Sequence, residues 1–80
     1  MSAAAKLACL CCGCKTISAR GEYDICPVCF WEDDPDVGNP DERNDCNGVS
    51  LTEARENYKQ FGACREDMIP HVRKPAKEDF

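Results

Sequence analysis

Eighty residues with eight cysteines and a formal net charge of −5 make a single domain, of a size that buries only about 60 to 65% of its unfolded surface and commonly needs a staple. No apolar run approaches the ~20 residues of a membrane span, and Met1–Ala8 lacks the apolar core behind a basic end that a secretory leader needs, so a cytoplasmic protein with reduced thiols is expected. Residues 1–21 carry three bases and no acid, residues 22–45 nine acids and one base, and residues 51–80 six of each, which leaves no basic face for gripping phosphates and makes nucleic acid an unexpected partner.

Two C-x-x-C pairs, Cys9-Leu10-Cys11-Cys12 and Cys26-Pro27-Val28-Cys29, carry the strongest signal. Paired cysteines in a reducing compartment hold metal more often than each other. Four thiolates form the tetrahedral sulfur cage that zinc occupies in structural sites. Such an ion contributes about 10 to 16 kcal/mol of apparent binding energy, more than so small a core supplies. Cys11-Cys12-Gly13-Cys14 is a second possible register for the first pair. Gly13 favours Cys9 and Cys12, because a glycine directly after the second cysteine lets backbone amides approach the sulfurs. The expected metal ligands are therefore Cys9, Cys12, Cys26 and Cys29, holding one structural Zn2+, with Cys11 and Cys14 as the alternative to the first two.

Between the pairs, Lys15-Thr16-Ile17-Ser18 is β-branched, Arg20-Gly21-Glu22 is a turn candidate and Tyr23-Asp24-Ile25 alternates. This predicts a hairpin carrying the metal at its open end. Trp31, Phe30 and Tyr23 are expected to join a small core that shields the site.

Loop formers crowd residues 32–49, including Pro35, Gly38, Pro40 and Asn47-Gly48. Asp33, Asp34, Asp36, Asp41 and Asp45 lack the spacing of a calcium loop. They are expected to form a solvated acidic face that attracts a basic protein surface.

Ser50-Leu51-Thr52-Glu53 fits a capping box, and Leu51, Ala54, Tyr58 and Phe61 form one apolar stripe ahead of Gly62. A helix over 51–61 is predicted, then a short second helical piece over 64–69, with residues 76–80 as a frayed tail to a domain spanning 1–75. Cys64 and the lone His71 would make an activated thiol only if they met. The expectation is a buried small residue at 64 and a surface imidazole at 71. Cys46 has no assigned role.

Cys9-Leu10-Cys11-Cys12-Gly13 and the run from Gly21 through Cys26-Pro27-Val28-Cys29 to Asp34 resemble the small bacterial cysteine-rich CPCC family. The similarity continues through Asn47–Leu51, Glu53-Ala54-Arg55, Phe61–Cys64 and Val72–Pro75. Leu10 departs from the proline of the family's name without removing a ligand, and Cys14 and Cys46 lie outside the pattern. The resemblance implies a stand-alone cytoplasmic zinc-binding domain and brings no activity with it.

The fold expected is α+β: a small zinc ribbon with one packed C-terminal helix. The expected function is a non-catalytic module that binds another protein. The alternatives are a rubredoxin-like electron carrier, for which a glycine would follow each pair where Phe30 follows Cys29, and a zinc-linked thiol sensor using Cys11 or Cys14.

Overall fold

The structure is a computed structural model and describes residues 6–80; the first five residues of the expected domain lie outside it. Strand β1 (Leu7–Ala8) pairs antiparallel with β2 (Lys15–Ile17), Leu7 opposite Ile17 and Ala8 opposite Lys15, with an irregularity between them. The first cysteine pair occupies the turn of this hairpin.

The pairing corrects the expected one. Lys15–Ile17 does not face Tyr23–Ile25; instead Ile25 bridges Glu32 across the second cysteine pair, with Tyr23 N donating to the Asp33 carbonyl at 3.1 Å and Asp33 N to the Asp24 carbonyl at 2.9 Å. Each cysteine turn closes on its own flanks, so 15–17 and 23–25 each pair with the segment across their own turn. Between them the Asp24 carboxylate accepts from Ser18 N at 2.6 Å, a local bond of the sort that competes with a ladder. The sulfurs thus sit at the closed tips of two antiparallel arms rather than at the open end of one.

Helix α1 (Leu51–Phe61) begins where Ser50 Oγ accepts from Glu53 N at 3.0 Å and ends at Gly62, whose φ of 79° lets its N–H reach the Tyr58 carbonyl. Leu51 and Ala54 are buried with Trp31, Ile17, Val28 and six of the cysteines, Cys9, Cys11, Cys14, Cys26, Cys29 and Cys64. Tyr58 packs half-buried against the same cluster. Arg55 Nε donates to the Leu10 carbonyl at 2.8 Å, fastening the helix to the first cysteine turn.

The 32–49 loop is ordered by two buried asparagines. Asn47 Oδ1 accepts from Glu32 N at 2.8 Å, and its Nδ2 donates to the Glu32 carbonyl at 3.0 Å and to Asn44 Oδ1 at 2.8 Å. The acidic face is smaller than expected, because Asp33 is fully buried, accepting from the Arg20 guanidinium and from Gly21 N at 2.7 Å. Tyr23 also departs from expectation: it is 51% exposed, whereas Trp31 is fully buried and Phe30 half-buried.

After α1 the chain runs along the second cysteine turn. Cys64 N donates to the Cys29 carbonyl at 2.8 Å and Arg73 N to the Pro27 carbonyl at 3.2 Å. The segment between is a 3-10 helix over Glu66–His71. The C-terminal residues, expected to fray, form a second 3-10 turn over Lys77–Asp79. Asp79 is buried there, accepting from Arg73 at 2.7 Å and from Ala76 N at 2.6 Å. That closed loop of charge-assisted bonds is what holds the terminus.

Candidate metal centre

The two cysteine turns have one backbone design. In the first, Gly13 N donates to the Cys9 carbonyl at 2.9 Å and Cys9 N to the Cys14 carbonyl at 2.8 Å; in the second, Phe30 N donates to the Cys26 carbonyl at 2.7 Å and Cys26 N to the Trp31 carbonyl at 3.0 Å. The residue after the second cysteine is left-handed in both, at φ 82° for Gly13 and 70° for Phe30. A Cβ at Gly13 would meet nothing within 4 Å, so glycine is favoured there for its backbone conformation and not for room beside the sulfurs. The missing glycine after Cys29 therefore says nothing against a rubredoxin-like cage, since Phe30 adopts the same conformation.

This geometry brings Cys9, Cys12, Cys26 and Cys29 together, their Sγ atoms all within 4.8 Å of one another. Cys9 Sγ lies 3.5 Å from Cys29 Sγ and Cys12 Sγ 3.7 Å from Cys26 Sγ. A disulfide is about 2.05 Å long, and all eight cysteines are free. A tetrahedron with metal–sulfur bonds of about 2.3 Å has edges of about 3.8 Å, close to both separations, so the four residues fit one metal ion. Cys9, Cys26 and Cys29 are buried and Cys12 is half-buried.

Crowding splits the acidities of the four. The Cys26 thiol is pulled far below its ordinary range by hydrogen bonds, foremost from Cys12, and Cys9 is lowered, also foremost by Cys12. Cys12 is pushed far up, chiefly by Cys26, and Cys29 far up, chiefly by Cys11. Such a cluster resists carrying four negative charges by itself, and a cation among the sulfurs is what allows all four to ionise. Thr16 adds a partner that no spacing rule foretold: its hydroxyl, buried, donates to Cys26 Sγ at 2.9 Å.

The other cysteines lie outside the four. Cys11 and Cys14 are both buried, and burial raises the Cys14 thiol. Cys64 is buried and pushed up to about 12, foremost by desolvation. Exposed Cys46 is raised to about 11, foremost by Asp34. His71 is exposed, with its ring centre 5.4 Å from that of Phe30.

Fold and site together define a small α+β domain with an antiparallel hairpin, one main helix and a four-cysteine cluster able to hold a metal ion. The Cysteine-rich CPCC family matches residues 7–79, and the chain belongs to that family. A comparison with the curated proteins finds no match. No helix among the described residues is long and apolar enough to cross a membrane.

Proposed function

We propose that the protein is a zinc-ribbon-like module of the cytoplasm, in which Cys9, Cys12, Cys26 and Cys29 hold one structural Zn2+ and the rest of the surface binds another protein without catalysis. The observation that supports this reading most is the pair of matched turns that converge four sulfurs within 4.8 Å of one another. The ion would supply cohesion to a core too small to stand alone. With a protein sulfur at every corner, no coordination position is open to water or substrate, as a catalytic zinc requires. Four thiolates and one dication lower the formal charge of −5 by two, to about −7, which suits a basic protein surface and repels nucleic acid.

Metal analysis of protein purified without added zinc, joined to a Cys→Ser scan, tests the reading. One zinc per chain is expected, lost with the fold in Cys9→Ser, Cys12→Ser, Cys26→Ser and Cys29→Ser and kept in Cys11→Ser and Cys14→Ser. Sulfur in this arrangement also suits iron, and the equivalence of Phe30 to Gly13 removes one objection to it. A coloured protein that retains iron under zinc-replete conditions would replace the structural-zinc reading with electron transfer.

A further inference from the structure

Among the described residues, only Tyr23 at φ 60° and Phe30 at φ 70° are left-handed without being glycine. For a residue with a side chain this conformation costs about 1–2 kcal/mol, and the matching position of the first turn carries Gly13, which avoids the strain. The core accounts for only part of the aromatic choice, since Phe30 packs against it half-buried and Tyr23 is exposed. Strain retained on a surface is an indication of use there.

Phe30 lines a cleft of about 200 Å³ with Ile25, Glu32, Cys46, Cys64 and Met68. Of these, Ile25 is an exposed apolar side chain, at 43%. The rim is acidic. Glu32 lines the cleft, and Asp34 is tied to its wall, accepting from Asn44 Nδ2 at 2.9 Å while Asn44 Oδ1 accepts from Nδ2 of Asn47, another lining residue. Arg65 is the one cation lining the cleft, and it is engaged: it donates to Asp67 at 2.9 and 3.0 Å and to the Asn47 carbonyl at 2.8 Å.

We propose that this cleft seats one large apolar side chain from a basic peptide segment of another protein, whose flanking Lys or Arg residues meet Glu32 and Asp34. The inference rests on the reading of the protein as an interaction module and names its docking face. The apolar floor supplies the contact area and the acidic rim selects the charge of the partner.

The test is selection of short random displayed peptides on the metal-loaded protein at physiological salt, followed by titration of the selected peptides. Enrichment of Lys or Arg around a Leu, Met, Phe or Trp is expected. Phe30→Gly and Ile25→Ser should each weaken binding roughly tenfold or more, and high salt should weaken it further. Glycine fits a φ of 70°, so Phe30→Gly should keep one metal per chain and an unchanged circular dichroism spectrum. Glu56→Lys, on the exposed side of α1, should change affinity by about twofold or less. Selected peptides indifferent to Phe30→Gly and Ile25→Ser would sink the cleft while leaving the module reading standing. Selection of acidic peptides would overturn the charge assignment, and a self-associated protein that dissociates in Phe30→Gly would give the cleft to a second copy. Failure to enrich any peptide would overturn the cleft as a peptide-docking site, while the module reading stands or falls on the metal analysis and the Cys→Ser scan.

Discussion

The first cysteine turn, from Cys9 to Cys14, and the second, from Cys26 to Trp31, share their hydrogen bonds and diverge in their side chains. Where the first has Leu10, Gly13 and Cys14, the second has Pro27, Phe30 and Trp31. The first is small and relaxed, and α1 hydrogen-bonds to it through Arg55 on the Leu10 carbonyl. The second is aromatic and is held along its length by the C-terminal segment, with Arg73 N on Pro27 and Cys64 N on Cys29. One backbone design thus meets the demands of coordination twice, while the residues free of that demand build the core on one side and a surface cleft on the other.

The contrast can be broken most severely at the sulfurs. Chelation of the metal should unfold the domain whichever turn is considered, because about 10 to 16 kcal/mol of apparent binding energy exceeds the stability of a chain this size; loss of the helical circular dichroism signal on adding a chelator reports it. Next in size is the Trp31 and Cys14 pair at equivalent positions. Trp31→Ala should cost about 3–5 kcal/mol in urea unfolding of the metal-loaded protein, and Cys14→Ala far less. Trp31→Phe should recover most of the loss, because the buried indole N–H has no hydrogen-bond partner among the described residues and its removal orphans nothing.

The left-handed positions give a smaller, opposed pair of effects. Gly13→Ala should destabilise by about 1–2 kcal/mol through backbone strain alone, whereas Phe30→Gly should sit near neutral, relief of strain offsetting the lost contact with His71. Two melts of equal sign and size would contradict the equivalence of the turns. Thr16→Val removes the hydroxyl donor from Cys26 and should weaken metal affinity by about tenfold in competition with a chromophoric chelator. The smallest effect lies at the terminus. Arg73, then the Ala76 amide, hold the Asp79 carboxyl below the usual range. Its contribution is therefore whole above the unfolded value of about 3.9 and lost as pH falls through the lowered one. Asp79→Asn should free the tail at neutral pH, seen as faster amide exchange at Asp79 and Phe80 with the metal site untouched.

What the sequence made legible was local. Ser50, Glu53 and Gly62 mark both ends of α1 because each end is settled by hydrogen bonds within a few residues. The four converging cysteines were legible for the same reason, since a C-x-x-C turn sets its own geometry. The hairpin was misplaced because a strand as short as Lys15–Ile17 carries no record of which neighbour it will pair with. Asp33 was grouped with the solvated acids because its burial depends on Arg20, distant in sequence, and nothing in a run of acidic residues says which one turns inward. The order of Lys77–Asp79 was hidden likewise, resting on an ion pair with Arg73.

The braces on the second turn come from residues translated long after it. Cys9 through Cys29 are synthesised before Cys64 and Arg73, so a growing chain has its thiols before it has the residues that brace the backbone around them, and domains acquire their packing as the later segments emerge. An ion captured at that stage would exchange readily, and completion of the last residues would slow its escape. Retention of such an ion, more than its first capture, would then be a property of the finished polypeptide.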